Sequence, residues 1–388
     1  MKSKISEFLN KLTPELNELS LDIYNNPELG YEEYKACQLH TELLEKYGFN
    51  VQTNFSGVKT GFKAEYRSSK PGLTVAYMAE YDALPGIGHG CGHNLLGTVS
   101  TGAGIVLKQI IDDIGGTVIV FGTPAEETSG AKVTYVENHE FDNIDIAMIA
   151  HPGNEYSKSG SSLALEPLQF EFFGKTAHAA ASPEKGVNAL DAAIQTFNSI
   201  NALREHMRSD SRVHGVIIDG GKAANVVPDY TKCQFYVRST SKTYNMELLE
   251  KVKNCAKGAA LATGCELKIT KYEYNYDNMV TNETLSNIFN DKIYEVAGIV
   301  MSEPPKNTGS IDAGQVSQVC PAIHPYFDIT NDKNIAGHTR EMASSTLTDY
   351  AKEQMKNTIT ALVLTAADVM QNPELYEKIK YEFDNTEK

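Results

Sequence analysis

Polar side chains follow three strand-like apolar runs, at the point where each run ends. These side chains are Glu80 and Asp82 after residues 73–79, Glu126 and Glu127 after residues 117–122, and His151 after residues 144–150. In open α/β sheets the functional groups gather beyond the carboxyl ends of the strands, so we expect the three clusters to converge on one site. Their residue types are those of a metal-dependent hydrolase.

A turn between the first two clusters carries two further groups that bind metals. Cys91 and His93 are one residue apart and are flanked by Gly90 and Gly92, so borderline-soft ligands sit on a backbone that is free to wrap an ion. Taken alone, such a pair is more often structural than metal-binding. The carboxylates predicted nearby favour the metal-binding interpretation.

The pair Glu126 and Glu127 has two interpretations. One is a solvated loop pair, which is common. The other follows from electrostatics, since two adjacent carboxylates past a buried strand would cost several kcal/mol if both were desolvated without a cation. With a metal nearby, one carboxylate can coordinate it while the other takes a proton from water, a task that typically contributes about 10²- to 10⁴-fold to rate.

Two histidines precede prolines that fix the local backbone. His151 comes before Pro152 and His324 before Pro325. A lone histidine in such a place is more often hydrogen-bonded structure than a ligand. Asp82 could be the outer partner that orients a ligating histidine, since these residues usually donate their second nitrogen to a carboxylate or carbonyl.

Length and charge restrict the class of protein. At 388 residues the chain is longer than one hydrophobic core usually supports, so two domains are expected. The net charge of -15 and the pI near 5.2 argue against a nucleic-acid surface. We expect neither a signal peptide nor a membrane span, because no apolar run reaches roughly 18 residues. Six cysteines scattered without close pairing fit a reducing compartment, so a cytoplasmic location is expected.

The elements that must position these groups alternate along the chain. Predicted helices lie at residues 3–24, 31–47 and 95–111, and predicted strands at 58–67, 73–79, 117–122 and 144–150. Strands separated by helical crossovers predict an α/β domain with a mostly parallel, covered sheet. Helical patterns return at residues 283–297 and 345–370.

A second pattern interrupts this domain. Its predicted elements are a strand at 168–173, a helix at 188–207, strands at 213–219 and 231–238, a helix at 246–263 and a strand at 266–274. The order β-α-β-β-α-β predicts a ferredoxin-like α+β sandwich. We therefore predict a discontinuous catalytic metal-binding domain, residues 1–165 plus 279–388, and an inserted domain, residues 166–278.

Four spaced motifs resemble those of the zinc aminoacylase and carboxypeptidase family of dinuclear amidohydrolases. They are residues 80–94, 124–127, 174–180 and 225–228. Within that family the chain is most similar to the branch of amino-acid-conjugate hydrolases, aminobenzoyl-glutamate hydrolase and aminoacylase-like dipeptidases. The resemblance covers nearly the whole chain, including the inserted domain.

The resemblance implies two divalent ions per chain, Zn or Mn, with Co as a third candidate. The implied ligands are Cys91, which bridges the ions, and His93, Glu127, His151 and His324. Glu126 would be the general acid and base, and Asp82 matches the family's aspartate beside the site. Many members have a ligating histidine where this chain has Glu80, so the role of Glu80 stays open.

The inserted domain resembles the family's lid, which also forms the homodimer. His178 matches the lid histidine that reaches the partner subunit's site and polarises the scissile carbonyl, and Asn225 matches a lid residue that contacts substrate. Arg238 could hold a substrate carboxylate, although a surface salt bridge is an equal alternative. Asn307, Ser310 and Asp312 lie in a glycine-containing loop that could line the pocket.

The predicted function is hydrolysis of an amide bond in a dipeptide or an N-acyl or aryl-amide amino acid, with water activated by metal and Glu126 as base. A non-catalytic metal- or peptide-binding protein is the alternative, and it would require a broken base or ligand set. A structural zinc protein would favour a closed Cys and His set without spare carboxylates. Dipeptides, acyl amino acids, folate-fragment amides and longer peptides all fit the same metal chemistry.

Overall fold

The computed structural model describes residues 1–304 and 309–388. Two units are distinguished by their internal contacts. The first contains residues 1–161, 279–304 and 312–387, and the second contains residues 162–278, 309–311 and 388. Among the described residues, none of the helices combines the length and the apolar character that crossing a membrane demands.

Strands and helices alternate through both units. The strands are, in chain order, β1 (Asn50–Thr53), β2 (Phe62–Arg67), β3 (Thr74–Ala79), β4 (Thr117–Gly122), β5 (Ile146–Met148), β6 (His151–Gly153), β7 (Ala164–Phe173), β8 (Arg212–Asp219), β9 (Tyr230–Ser239), β10 (Glu266–Thr270), β11 (Ala322–Ile323) and β12 (Tyr326–Asp328). The helices are α1 (Lys2–Asn25), α2 (Tyr34–Lys46), α3 (His93–Ile114), α4 (Ala131–Glu137), α5 (Ala189–Leu203), α6 (Lys242–Thr263), α7 (Glu283–Ala297), α8 (Ala313–Val319), α9 (Arg340–Ser345), α10 (Asp349–Gln371) and α11 (Pro373–Asn385).

A mixed sheet forms the centre of the first unit, in the order β1-β2-β4-β3-β5-β11. The pairs β4/β3, β3/β5 and β5/β11 are parallel, whereas β1/β2 and β2/β4 are antiparallel. Every residue of β4 and nearly every residue of β3 is buried, as expected for covered parallel strands. The predicted mostly parallel sheet is therefore confirmed, with an antiparallel edge.

The helices of this unit pack on its sheet, and the bounds of two elements differ from those predicted. Helix α3 packs on β3 and β4, and α1 and α10 pack on α3. The strand predicted at 144–150 is limited to β5, because His151 begins β6, which pairs with β12 in a separate two-stranded sheet. The helix predicted at 345–370 corresponds to α10, which begins four residues later at Asp349, and the short helix α9 before it was not predicted.

The second unit is an antiparallel sheet in the order β10-β7-β9-β8, with α5 and α6 packed against it. Burial alternates at every residue of β9, because successive side chains of a strand point to opposite faces. The inner face buries Leu168, Phe170 and Phe235 against the helices. The predicted inserted β-α-β-β-α-β unit is thus confirmed, and β8 is its edge strand.

Candidate metal centre

The carboxyl ends of three neighbouring parallel strands bring most of the predicted site residues together. Glu80 and Asp82 follow β3, the loop with Glu126 and Glu127 follows β4, and His151 follows β5 after two residues. Because β4, β3 and β5 are adjacent and parallel, these segments leave the same edge of the sheet.

The carboxylate of Asp82 contacts two other residues of the site. Its Oδ1 lies 3.0 Å from Nδ1 of His93, and its Oδ2 accepts a hydrogen bond of 3.0 Å from the backbone N–H of Glu127. The backbone carbonyl of Asp82 also lies 3.1 Å from the same imidazole nitrogen. Two acceptors at Nδ1 place a proton there, so Nε2 of His93 faces the opposite side and is available as a metal ligand.

That opposite side holds a second acceptor. Nε2 of His93 lies 3.4 Å from Oε2 of Glu80, and both atoms are fully buried without a hydrogen-bond partner in the described chain. Two electron-rich atoms at this distance require a positive charge between them. Burial opposes protonation of His93, but the carboxylates of Asp82 and Glu80 outweigh it and raise its pKa well above the usual value. A metal ion supplies the same positive charge as that proton.

The ligand atoms form two overlapping groups. Glu80, His93 and His151 form one, and Cys91, His93 and Glu127 form the other; within each group the ligand atoms lie within 4.8 Å of one another. Oε1 of Glu127 is a further buried atom that lacks a hydrogen-bond partner in the described residues. Imidazole, thiolate and carboxylate donors at this spacing fit two divalent ions.

Cys91 lies in a tight turn that glycine makes possible. Gly92 has φ of +77°, and a Cβ built there would lie 2.9 Å from Cβ of Pro152, so this turn packs directly on the segment of His151. Burial and the carboxylate of Glu127 raise the pKa of the Cys91 thiol. A thiolate at this position therefore needs a cation beside it.

His151 and His324 stack next to this turn. The His151 ring centroid lies 5.5 Å from that of His93 and 5.5 Å from that of His324. Nδ1 of His151 donates to the carbonyl of Pro152 at 2.6 Å, which leaves Nε2 to ligate. Burial lowers the pKa to about 3 for His151 and to about 4 for His324. Both rings are therefore neutral, the form that binds metals.

Glu126 lies among negative groups. It is partly buried, and burial together with the carboxylates of Glu80 and Glu127 raises its pKa well above the usual value. A carboxylate in such surroundings holds a proton readily, and a nearby cation favours its release. This is the electrostatic setting that a general base requires.

Lys132 is a site residue that sequence reasoning missed. It is fully buried on α4, and its Nζ lies 2.6 Å from Oε1 of Glu80 and 2.7 Å from Oδ1 of Asp312. Lysine is rarely buried unless it is paired, so a lysine in a short helical segment gave no signal. The three residues of the predicted pocket loop have different outcomes. Asp312 is buried against Lys132, and Ser310 accepts a hydrogen bond from Arg238 at 3.3 Å. Asn307 lies outside the described residues.

His338 is a second residue that was missed. Its Nε2 lies 3.6 Å from Oε2 of Glu127, and its backbone N–H donates to the carbonyl of Gly90 at 3.0 Å. Its φ of +62° lies in the left-handed region, which is unusual outside glycine. The only local signal was its place in the Gly337–Thr339 turn that begins α9.

The second unit presents the lid residues on its surface. Nδ1 of His178 accepts hydrogen bonds from the N–H groups of Ala180 and Ala181, so its proton resides on Nε2, which can donate. The neighbouring N–H of Ala179 donates to the carbonyl of Asn225 at 3.0 Å. His178 and Asn225 are therefore adjacent, and both are accessible to solvent.

Arg238 lies elsewhere on the same unit. His178 follows the end of β7 that pairs with Tyr230, whereas Arg238 is near the far end of β9, eight residues along the strand. At about 3.3 Å per residue, the segment of β9 from Tyr230 to Arg238 is about 26 Å long. In the described parts of the chain no carboxylate forms an ion pair with Arg238, and its Nε is buried without a hydrogen-bond partner.

Known proteins share both the sequence and the fold of this chain. A family model described as the peptidase dimerisation domain matches residues 168–263. The Xaa-Arg dipeptidase of Mus musculus is 36% identical over 402 residues, which cover 99% of this chain and 92% of that protein. A p-aminobenzoyl-glutamate hydrolase polypeptide from Escherichia coli K12 is 32% identical over 287 residues, which cover 68% of this chain and 59% of that protein.

Solved structures show the same architecture. A dinuclear metal-binding peptidase of the M20 family from Bacillus subtilis matches with a TM-score of 0.67 at 18% identity, over 92% of this chain and 98% of that one. At that identity the similarity shows the shared fold. The dipeptidase, in contrast, is similar in sequence along almost its whole length.

Proposed function

This chain belongs to the M20 family of peptidases, and on that premise we propose that it cleaves dipeptides at a two-metal site at the edge of its mixed sheet. Its relatives are dipeptidases and aminobenzoyl-glutamate hydrolases, so the chain is a metal-dependent hydrolase of amide bonds. The observation that carries the site assignment is the facing pair of unpartnered acceptors on Glu80 and His93.

The residues that would hold two ions are Cys91, His93, Glu127, His151 and His324. The position of His338 beside Glu127 supports adding it to this set. Thiolate and imidazole donors suit Zn²⁺, and the carboxylates also suit Mn²⁺ or Co²⁺. When bound, two such ions lower the pKa of water and polarise a carbonyl oxygen.

The protein's own groups then move the proton. Glu126 accepts it from the attacking water and returns it to the nitrogen of the leaving amine, which requires one carboxylate that is not fully committed to a metal. Asp82 supports this arrangement because it holds His93 and the backbone of Glu127 at the same time. The raised pKa of Glu126 supports its role as a proton carrier.

The substrate is proposed to lie between two subunits. His178 follows the end of β7 that pairs with Tyr230, whereas Arg238 lies about 26 Å further along β9, so we propose that a single dipeptide does not contact both from one chain. We propose that Arg238 binds the substrate carboxylate, and that His178 and Asn225 serve the site of the partner subunit. His178 would donate from Nε2 to the carbonyl oxygen of the scissile bond.

A homodimer through the second unit fits its surface. Among the described strands none pairs with the outer side of β8, and Val216 and Ile218 on it are 54% and 49% exposed. Apolar side chains on an unpaired edge are suited to pairing with another copy. The match to a peptidase dimerisation domain over residues 168–263 supports the same proposal. Six free cysteines support a cytoplasmic location.

The test is a substrate panel with metal-reconstituted protein. Dipeptides with a carboxyl-terminal Arg are expected to be cleaved faster than N-acyl amino acids and aminobenzoyl-glutamate, in line with the dipeptidase relative. Glu126→Gln should lower turnover at least about 10²-fold with metal content unchanged. Glu155→Gln, at an exposed ion pair with Lys333, is the control and should keep full activity.

Two outcomes would contradict the proposal. Metal loss in parallel with activity would reassign Glu126 as a ligand. Tight binding of two ions without hydrolysis of any panel member would favour the non-catalytic metal- or peptide-binding alternative.

A further inference from the structure

The loop that carries Glu126 begins with a strained residue. Ala125 has φ of +65°, in the left-handed region that is unfavourable for residues with a Cβ. Such a conformation persists only where the surroundings determine it, and it is concentrated at functional sites. The backbone N–H of Ala125 is therefore informative, because its partner fixes the direction in which the next residue, Glu126, leaves the loop.

That partner is a carboxylate from a distant part of the chain. The N–H of Ala125 donates to Oε1 of Glu33 at 2.8 Å, and the hydroxyl of Thr60 donates to Oε2 of Glu33 at 2.8 Å. Glu33 is completely buried, so both of its oxygens are used inside the protein. Burial raises the pKa of Glu33 to about 7, so the carboxylate is charged above that pH, and hydrogen bonds to a charged acceptor are among the stronger ones in proteins.

Helix capping does not account for Glu33. It precedes α2, but its side chain makes no capping hydrogen bond. Glu28 instead accepts from the first amides of that helix, the N–H groups of Lys35 and Ala36, at 3.0 Å each. Burying a carboxylate is unfavourable, and an apolar side chain would serve packing better. The hydrogen bonds from Ala125 and Thr60 are what distinguish a carboxylate from an apolar residue here, and the first of them reaches the loop of Glu126.

The surrounding segment is also shaped to fit the loop. A Cβ added to Gly30 would lie 2.7 Å from Oγ1 of Thr128 and 3.0 Å from Cβ of Ala125, so only glycine allows this close approach. The hydroxyl of Tyr31 donates to the carbonyl of Ser129. Residues 30–33 therefore contact the loop at three places.

On the other side of Glu126, the N–H of Glu127 donates to Oδ2 of Asp82 at 3.0 Å. The amides that precede and follow Glu126 are thus held by two carboxylates from different parts of the fold. We propose that Glu33 is a positioning residue, which fixes the backbone of Ala125 so that the carboxylate of Glu126 is aimed at the reacting water. This role rests on the proposed function of Glu126.

The test compares three variants of the full-length protein. Glu33→Gln keeps an oxygen that can accept from Ala125, whereas Glu33→Leu keeps the bulk and removes the acceptor. Thr60→Val removes the other hydrogen bond of Glu33 and leaves the contact with Ala125, so it is the matched control. Hydrogen exchange of the peptide 123–130 is measured in the metal-free protein, and kcat, KM and metal content are measured in the metal-loaded protein.

Glu33→Leu should accelerate exchange at the Ala125 amide at least about tenfold, since its hydrogen bond is lost. It should also lower kcat by roughly 10- to 10²-fold with KM and metal content unchanged, because small misplacements of a catalytic group have effects of this size. Glu33→Gln and Thr60→Val should stay within about threefold of the wild type in kcat.

Three results would overturn the proposal. The first is faster exchange with unchanged kcat in Glu33→Leu, which would make Glu33 purely structural. The second is unchanged exchange, and the third is an equal loss of kcat in Thr60→Val. If Glu33→Leu is insoluble, Glu33→Asp, which shortens the side chain, is judged by the same criteria. The exchange measurement needs no activity, so a failure of the proposed function, seen as an inactive wild type, is distinguishable.

Discussion

Replacing Lys132 by methionine should destabilise the metal-free protein strongly. Lys132 is fully buried, and its ammonium group lies 2.6 Å from Glu80 and 2.7 Å from Asp312. Lys132→Met keeps most of the volume but leaves two buried carboxylates facing each other without a cation. Removing one partner of a buried ion pair typically costs about 3–5 kcal/mol in the free energy of unfolding.

The assay is urea unfolding of the metal-free protein, with a surface lysine as the control. Lys158 pairs with Glu303, whose side chain is 81% exposed. Exposed pairs typically contribute about 0–1 kcal/mol, so Lys158→Met should change the free energy of unfolding little. A loss in Lys132→Met no larger than that of Lys158→Met would refute the reasoning.

Metal provides a second, independent measurement on the same variant. An ion ligated beside Glu80 would replace part of the positive charge that Lys132→Met removes, so saturating Zn²⁺ or Mn²⁺ should stabilise the variant more than the wild type. By linkage, each 1.4 kcal/mol of extra stabilisation corresponds to about tenfold tighter binding to the folded variant. Equal stabilisation of both proteins by the metal would show that Glu80 does not interact with the bound ion.

Three further outcomes are expected. Cys91→Ala should bind fewer than two ions per chain. In the wild type, bound metal should prevent alkylation of the Cys91 thiol, and removal of the metal by a chelator should allow it. Full metal occupancy in the variant would show that Cys91 is not a ligand. Burial lowers the pKa of His40 to about 3 in the folded protein. Below about pH 6.5 the unfolded chain therefore binds a proton at His40 that the folded chain does not bind, so the free energy of unfolding decreases as the pH falls. The free energy of unfolding of the wild type should therefore fall, relative to His40→Leu, by about 1.4 kcal/mol per unit between about pH 6 and pH 4, and parallel curves would contradict this. Glu126→Gln and His178→Ala should each be inactive alone, and a mixture of the two should recover about a quarter of wild-type activity. Random pairing makes half of the dimers mixed, and each mixed dimer has one intact site of two. If activity does not recover after subunit exchange is confirmed, His178 does not act across the dimer.

The parts of the site that the sequence predicted share a local signature. Glu80, Glu126 and His151 each follow an apolar run, and the ends of adjacent parallel strands lie at one edge whatever the loops do. The strand β4 was predicted at its observed bounds because all six of its residues are buried, which makes an uninterrupted apolar run. The inserted unit was predicted from the order of its elements.

The parts that were missed depend on tertiary contacts between distant segments. Lys132 is 52 residues from Glu80 and 180 from Asp312, and His338 lies on a loop after the last strand. Nothing local marks a lysine as buried, since its partners come from other elements. The separation of His178 from Arg238 could not be predicted either, because His178 follows β7 and Arg238 lies near the end of β9, and only the register of β7 against β9 shows that these are different ends of the sheet.

The charge balance of the site links its metal to its stability. The ammonium group of Lys132 cannot neutralise all the carboxylates of the site, which are Glu80, Asp82, Glu126, Glu127 and Asp312. With five carboxylates, the Cys91 thiolate of the proposed ligand set and one ammonium group, the ionised cluster carries an excess of five negative charges, most of which two divalent ions would balance. In the metal-free protein, protons must fill that need, as the raised pKa values of His93 and Glu126 show. Protons and metal therefore compete for this site, so metal affinity should fall as the pH is lowered.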